Sequence, residues 1–465
     1  MPELPEVETI KNILKSVILH KTIAKVDVFY EKVVKNDLSF FKNTLLNKTI
    51  LDLERIGKYL IFHLSEGFVI VSHLRMEGKY FYYQNQKETI NKHGLVLFTF
   101  TDQTYLEYND TRRFGMLKLT TKDEYKNLPC LKKLGPEPSN VLDFNKLFSI
   151  LKRKSIPIKA VLLDQTFLSG IGNIYADEIL FKTKVHPETP ANFISLNKLK
   201  EIVKVAVEVL DEAILNGGST IRSYKAGIGI DGNFQTKLYA YGRENQPCLN
   251  CSSPLKKMFV SGRGTTYCPK CQKNPNSPYI LGITGPIASG KSSALNYFKE
   301  NGYIPISGDE IVHKLYQDPK LHKPLIRLFN ESVIKENSVD KAFIAHVIIG
   351  DGHKKYKLEQ LIHPLVEKRF LEIIKKTKKD EKIAVEMPLL FEAGLDVFCD
   401  ETLYLDVNLK TQTERLSKRF LSVKDSLKLN QGFNVQENKK KATYIISNNN
   451  SLEELYIKLA KIIRK

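Results

Sequence analysis

Apolar positions change their period twice along this chain. After an early helix-like stretch (Val7 to Val17), the first 125 or so residues carry them in short β-rich runs: Leu60–Leu64, Phe68–Leu74, Lys79–Tyr83, Leu95–Thr101 and Gly115–Thr120. Gly, Asn and Asp punctuate these runs, which predicts a β-sandwich or barrel-like unit. From about 140 to 216 the spacing turns to i, i+3, i+4 in Asp143–Lys154, Ile158–Phe167, Asn173–Lys182 and Leu196–Leu215, which predicts helices. Residues 217–245 read as an ordered loop rich in Gly, Ser and Tyr, and Gln272–Pro278 has linker composition. Beyond it, short strand candidates at Tyr279–Thr284, Tyr303–Ser307, Ile383–Met387, Thr402–Val407 and Tyr444–Ser447 are separated by helical stretches. That alternation predicts a parallel sheet with covering helices.

A length of 465 residues suits two to four domains, and 42% hydrophobic with 26% charged residues is ordinary for soluble globular protein. No apolar run approaches the roughly 18 residues a membrane span needs, so no membrane association is expected. The opening MPELPEVETI has acids and prolines instead of a basic stretch and an apolar core, so no secretory signal is expected and the expected location is the cytoplasm. The net charge is +19; up to Gln272 there are 39 basic and 28 acidic residues, and after it 32 and 24. Both halves are therefore basic, and the first suits a polyanionic partner.

Four of the six cysteines form Cys248-x2-Cys251 and Cys268-x2-Cys271, separated by sixteen residues. Each knuckle can aim two thiolates at one ion, which predicts a zinc ribbon. Four protein ligands leave no open position, so the one Zn2+ would be structural. Between the knuckles Arg263 stands between two glycines, a hairpin position suited to a phosphate. Further on, Gly285 to Ser292 is a full GxxxxGKS loop between an apolar strand and a helix. Its N–H groups would cradle phosphates, with Gly285, Ala288, Ser289, Gly290 and Ser293 lining the nucleotide, Lys291 on the β- and γ-phosphates and Ser292 on Mg2+. The loop implies ATP with Mg2+ and leaves the reaction open.

The first residues carry a different chemistry. Removal of Met1 would free the secondary amine of Pro2, part of which is neutral at pH 7 because an α-amino group titrates near 8. Such an amine attacks electrophilic carbon and forms an iminium ion, and Glu3 is close enough to move protons. Read alone, the same residues also suit a Pro-initiated, Glu-rich first helical turn.

The run MPELPEVE, with Arg55–Phe62, His73–Tyr80, Asn109–Gly115, Ser169–Leu180, Gly217–Tyr224, YGRENQPC and the four-cysteine module, resembles bacterial formamidopyrimidine-DNA glycosylase over about residues 1–275. The resemblance implies that Pro2 attacks C1′ of the damaged nucleotide, followed by β- and δ-elimination, and that Glu3 opens the sugar. It implies that Lys58, Asn173 and Arg263 grip phosphates, and that Met76, Arg112 and Phe114 fill the gap left by the extruded nucleotide. Residues 217–224, with Arg222 and Tyr224, would close over the flipped base. On their own, Met76 and Phe114 read as core packing. Thr111 stands where the family usually has Pro, which is expected to loosen the turn carrying Arg112.

ISGDEIVHKLY (306–316), LIHPLV (361–366), MPLLFEAGLD (387–396), Arg415, Arg419, Gln431 and YIISNN resemble dephospho-coenzyme A kinase over about residues 279–465. That resemblance implies transfer of the ATP γ-phosphate to the ribose 3′-hydroxyl of dephospho-CoA. Asp309 would take the hydroxyl proton, Arg415 and Arg419 would lie on a lid over ATP, and His363 would line the acceptor site. The two arginines, four apart, are ordinarily a solvated helix face. The family's DAD motif reads Ser307-Gly308-Asp309 here, and its late AD pair reads Ala442-Thr443.

The fold expected is a β-sandwich (1–130), a helix-two-turn-helix domain (131–245) and a zinc finger (246–275), together α+β, followed by a P-loop α/β domain with a parallel sheet (276–465). The function expected is a monomeric bifunctional enzyme acting on double-stranded damaged DNA and, with ATP, on dephospho-CoA. The alternative is an active glycosylase carrying a degenerate or regulatory nucleotide-binding domain.

Overall fold

The computed structural model describes residues 2–84, 92–218, 237–335, 338–418 and 434–463. The chain divides into Met1–Asn274 and Pro275–Lys465.

In the first unit, α1 (Leu4–Ile18) starts on a reciprocal cap, in which Glu3 and Glu6 each accept from the other's backbone N–H, with a proline in the first turn. Its apolar stripe Val7, Ile10, Leu14 and Ile18 is buried in the core of a β-sandwich. The strands are β1 (Ile23–Val28), β2 (Ile50–Ile56), β3 (Tyr59–Leu64), β4 (Phe68–His73), β5 (Lys79–Tyr83), β6 (Gly94–Phe100), β7 (Tyr105–Asn109) and β8 (Met116–Thr121), with α2 (Leu38–Leu45) between β1 and β2. They pair antiparallel in the orders β1-β6-β7-β5 and β2-β3-β4-β8. β3 reads as a continuous apolar run because both its faces are covered: Leu60, Phe62 and Leu64 join the inter-sheet core, whereas Tyr59 and Ile61 pack with Val69, Val71, Tyr125 and Leu131. β1, β2 and β7 lie outside the apolar runs for a physical reason. The first two are sheet edges that expose charged residues, and β7 buries Glu107 completely.

The helical part contains α3 (Pro129–Lys132), α4 (Phe144–Lys152), α5 (Ile158–Leu163), α6 (Asn173–Lys182) and α7 (Leu196–Leu215). α5 stops at Leu163 although its apolar pattern runs on to Phe167. Asp164 Oδ1 accepts from both the backbone N (3.0 Å) and the Oγ1 (2.6 Å) of Thr166, an Asx turn that competes with the helix. The hairpin β9 (Lys256–Val260) and β10 (Arg263–Tyr267) docks on α6 through a wholly buried ion pair. Lys159 Nζ donates to Asp177 Oδ1 and to Thr265 Oγ1, both at 2.6 Å, and Thr266 N donates to Asp177 Oδ2 at 2.9 Å. Gln272, read as the start of a linker, is instead part of this module. It is fully buried, accepts from Cys268 N at 2.9 Å and donates to Val185 O at 2.8 Å.

The second unit has β11 (Tyr279–Thr284), β12 (Tyr303–Ser307), the short hairpin β13 (Ile334–Lys335) and β14 (Ser338–Val339), β15 (Lys382–Glu386), β16 (Glu401–Asp406) and β17 (Tyr444–Ser447). Five of these form a parallel sheet in the order β12-β15-β11-β16-β17. On one face pack α8 (Lys291–Glu300) and the last helix (Leu452–Ile463); on the other pack α9 (Gly308–Tyr316), α10 (Pro319–Phe329), α11 (Lys341–Gly350) and α12 (Gly352–Lys376). Among the described residues, no helix is long and apolar enough to cross a membrane.

Breaking one side of the Lys159–Asp177 pair leaves a buried charge alone. Lys159→Met is expected to destabilise the first unit by ~3–5 kcal/mol, and Lys159→Met with Asp177→Asn to recover much of that. Denaturant unfolding of the single and double variants measures both; equal losses for the two would show that the charges do not matter.

Candidate active sites

Three elements of the first unit converge on Glu3. α6 opens at Gly172, and its first free N–H groups, of Ile174 and Tyr175, donate to the Glu3 carboxylate at 2.9 and 3.4 Å. A Cβ at Gly172 would overlap that carboxyl, so the close approach requires glycine there. Tyr175 OH donates to Glu6 Oε1 at 2.6 Å, and Leu4 N to Gly170 O at 3.0 Å, which locks the chain start onto the loop before α6. Lys58, at the β2–β3 turn, donates from Nζ to Ile171 O at 2.8 Å. Glu3 and Lys58 are only 2% and 5% exposed. Pro2, next to Glu3 in sequence, is half-buried.

Burial dominates the electrostatics. It pushes the Glu3 carboxyl up to about 7, against the opposing pull of Lys58 and the two α6 N–H groups. Burial also holds the Lys58 ammonium below its ordinary range, with Glu3 and Glu6 opposing and Arg263 adding to the depression. His73 is pushed down to about 3, first by burial and then by Arg75 and Lys58, so it is neutral at any ordinary pH.

Two residues outside the sequence-derived set hold this centre. Gln165 Nε2 donates to Ile171 O at 2.8 Å and Oε1 accepts from Gly170 N at 3.0 Å, so it shapes the carbonyl that Lys58 meets. Arg55 joins Glu8 (2.7 Å) and Glu137 (2.6 and 2.9 Å), and Glu137 also accepts from Gly57 N at 2.7 Å. That network ties α1, the Lys58 turn and the segment leading to the helical part. Arg55 stood in a segment that carries the resemblance and Gln165 did not, and the partners of neither were visible in the sequence.

The gap-filling candidates sit on two neighbouring turns. Phe114 is 57% exposed, which removes the core-packing reading for that ring, and the Arg112 guanidinium lies 5.0 Å from its centroid. Met76 is partly buried. Buried Asp110 accepts from the N–H groups of Arg112 (2.9 Å), Phe114 (2.9 Å) and Gly115 (2.8 Å). Thr111 donates to Glu77, the neighbour of Met76. The turn that carries Thr111 is held by Asp110 and bonded to the Met76 turn. Asn173 heads α6 and donates to Gly264 O at 3.0 Å, which places it against the hairpin that exposes Arg263. Arg222 and Tyr224 lie outside the described residues.

The Sγ atoms of Cys248, Cys251, Cys268 and Cys271 all lie within 4.8 Å of one another, close enough for one tetrahedral ion. The four thiols fit zinc and would hold it.

In the second unit the loop from Gly285 to Gly290 joins β11, the middle strand, to α8. Lys291 Nζ donates to the carbonyls of Gly285 and Pro286 at 3.0 Å, folded over the loop it would leave for a phosphate. Ser289 Oγ is buried and has no partner among the described residues, an orphan that a phosphate oxygen would satisfy. Gln412 Nε2 (2.9 Å), Arg415 (3.2 Å) and Asn448 Nδ2 (2.8 Å) hold the carbonyls of Ile287, Ala288 and Ser289. Arg415 is therefore engaged with the loop and is no free helix face; Arg419 and Gln431 lie outside the described residues. Asp309 stands exposed in the first turn of α9 at the same sheet edge. Ser292, exposed at the start of α8, donates to Glu386 Oε1 at 3.2 Å, and Glu386 was not among the expected residues. Burial raises the Glu386 carboxyl against the pull of Lys291. These donors fit a phosphate-bound Mg2+, which would sit by Ser292.

Family models match the chain in four consecutive stretches. They are the formamidopyrimidine-DNA glycosylase N-terminal domain over residues 1–117, its H2TH domain over 134–225, the zinc finger found in FPG and IleRS over 245–274, and dephospho-CoA kinase over 279–454. Formamidopyrimidine-DNA glycosylase of Ligilactobacillus salivarius is 46% identical over 276 residues, spanning 58% of this chain and 99% of that protein. The protein of that name from Mycoplasma mobile is 43% identical over 274 residues, spanning 59% and 99%. A solved complex between Lactococcus lactis Fpg and an abasic site containing DNA is 37% identical, with a TM-score of 0.56 over 58% of this chain and all of that one.

The protein as purified is expected to carry one zinc per chain, and Cys268→Ser to lose it. Elemental analysis of both proteins measures this; a natively purified, folded wild type without zinc would sink the structural-metal reading.

Proposed function

Over its first part the chain belongs to the formamidopyrimidine-DNA glycosylase family and behind it carries a dephospho-CoA kinase domain, and from that premise we propose one polypeptide with two chemically separate activities. The observation that carries the first is the convergence of Glu3, which follows Pro2 in the chain, with the N-terminus of α6 and the loop that Lys58 binds.

In this reading Met1 is removed and the Pro2 nitrogen attacks C1′ of an oxidised purine nucleotide extruded from duplex DNA. The N–C1′ bond forms, the glycosidic bond breaks, and the base leaves with a proton. Glu3, in its protonated form, donates to the sugar ring oxygen as the ring opens. The resulting iminium ion holds its charge without another proton and acidifies C2′, so β-elimination breaks the 3′ C–O bond and δ-elimination the 5′ one. Water then releases the sugar fragment and restores the amine. A base buried in the stack cannot meet Pro2, so something must hold the duplex open. The exposed Phe114 ring, Met76 and Arg112 suit that work: an apolar wedge unstacks, and a guanidinium bonds the orphaned opposite base. In this reading Lys58, Asn173 and Arg263 would grip the phosphates on either side.

The second activity moves the ATP γ-phosphoryl group to the ribose 3′-hydroxyl of dephospho-CoA. The O3′–P bond forms, the bond to the β,γ-bridging oxygen breaks, ADP leaves, and Asp309 takes the hydroxyl proton. Lys291 and Arg415 would place and neutralise the phosphates, and Mg2+ would supply the remaining positive charge.

Three outcomes follow. Borohydride added to full-length protein and duplex DNA containing 8-oxoguanine is expected to trap a covalent adduct through Pro2; an intact Met1 in fully active enzyme, read by mass spectrometry, would overturn the mechanism. Because the acid form of Glu3 is lost as pH rises through about 7, single-turnover excision is expected to fall on the alkaline side, and Glu3→Gln to lose roughly 10²–10⁴-fold. With ATP and Mg2+, dephospho-CoA is expected to be converted to CoA. Absence of that product with intact ATP binding would favour a regulatory nucleotide-binding domain.

A further inference from the structure

The turn that carries Arg112 and Phe114 spends four consecutive N–H groups on one residue. Those of Arg112, Phe114 and Gly115 donate to the Asp110 carboxylate at 2.9, 2.9 and 2.8 Å, and that of Arg113 donates to the Asp110 carbonyl at 3.2 Å. This winding puts Arg113 at φ 58°, in the left-handed region where a residue with a side chain bears a steric cost. The turn also has a floor. A Cβ at Gly78 or at Gly115 would overlap the Tyr108 hydroxyl, so this turn and the one carrying Met76 both rest on a single fully buried ring.

None of these contacts decides where the side chains go. Arg112, Arg113 and Phe114 stand in a row, all exposed. The Arg112 guanidinium lies 5.0 Å from the centroid of the Phe114 ring, whereas that of Arg113 lies 5.1 Å from the centroid of Tyr30. Tyr30 is firmly seated for that contact. It packs on the sandwich core just beyond β1, and its N–H and that of Phe29 donate to the Leu95 carbonyl at 3.3 and 2.9 Å. Neighbouring guanidinium groups repel each other, and each is drawn to an aromatic face. Two rings let them part. Without the second ring, Arg113 would be free to contest the Phe114 face with Arg112.

We propose that Tyr30 is a positioning residue for the duplex-opening wedge: its ring holds the Arg113 guanidinium, which leaves Arg112 paired with Phe114 before DNA arrives. This rests on the glycosylase reading of the first unit, in which Arg112 and Phe114 enter the gap left by the extruded nucleotide. Arg113 then serves the protein and makes no phosphate contact of its own.

The test uses the full-length chain in two arms. The chain has no Trp, so Phe114→Trp places a single reporter at the wedge, read by time-resolved fluorescence anisotropy without DNA. Adding Tyr30→Leu, which keeps an apolar group on the core and removes the π face, is expected to give this reporter a new fast local motion. Adding Tyr30→Phe, which keeps that face, is expected to leave its decay as it was. In the second arm, with Phe114 native, single-turnover excision from 8-oxoguanine duplex is followed. Tyr30→Leu is expected to raise the half-saturating protein concentration about 2- to 5-fold with the maximal rate kept, and Tyr30→Phe to match the wild type. Arg113→Ala is expected to give the same rise and to add nothing to Tyr30→Leu. Should Tyr30→Leu fail to fold by circular dichroism, Arg113→Ala carries both arms. An unchanged reporter and unchanged half-saturation in the Tyr30→Leu protein overturn the proposal. So does a salt dependence of DNA binding whose slope falls by about 1 in Arg113→Ala, since that would make Arg113 a phosphate ligand. A reporter that loosens as expected in a protein whose wild type excises nothing would sink the glycosylase reading and leave the positioning role standing.

Discussion

A carboxylate with almost no exposed surface needs hydrogen bonds to remain ionisable, and Glu3 receives them from the open end of α6. That single contact crosses the division between the β-sandwich and the helical part. It requires α1 to start where it does, Gly172 to lack a side chain, and the loop from Gln165 to Gly172 to hold its shape. Lys58 completes the arrangement by binding the same loop from the sandwich side. The balance left over, a carboxyl that titrates near 7, suits proton transfer at neutral pH because neither form is dominant. Had Glu3 been exposed it would sit near its ordinary value and be a poor acid; buried without α6 it would be locked in the protonated form.

How much of this the sequence discloses depends on whether a signal is local. The two CxxC knuckles and the GxxxxGKS loop are legible because all the chemistry lies within a few residues and the flanking elements follow from periodicity. The strands with both faces covered, such as β3, announce themselves as apolar runs, whereas β7 does not, because Glu107 sits inside it. Long-range polar partnerships are silent. Nothing near Lys159 in sequence points to Asp177 or to Thr265, 106 residues away. Glu386 reads as part of a buried strand until the fold sets it against Ser292. Sequence is equally silent on the turn at Thr111, where the hydroxyl bonds Glu77 and Asp110 holds the backbone.

The zinc module illustrates why a structural ion accompanies a catalytic centre in which it takes no part. A two-stranded hairpin is marginal by itself in water. Four cysteines clamp one end of it, and the Lys159–Asp177 pair with Gln272 fixes the other side to α6 and its surroundings. Arg263 is thus exposed on a hairpin whose Gly264 carbonyl accepts from the Asn173 amide.

Both halves rely on the same device, the exposed N–H groups at the start of a helix, and they use it in opposite ways. In α6 the groups of Ile174 and Tyr175 are already occupied by the protein's own Glu3, and the Asn173 side chain is turned to the Gly264 carbonyl of the hairpin. In α8 the preceding loop has no internal anion: Lys291 turns back on loop carbonyls and Ser289 Oγ is an orphan among the described residues. One helix start is therefore a finished structural contact that tunes an acid, and the other is an open site that needs a ligand to satisfy it. The distinction follows from where the nearest carboxylate lies. Glu3 accepts from α6 amides, whereas Glu386 accepts from the side chain of Ser292.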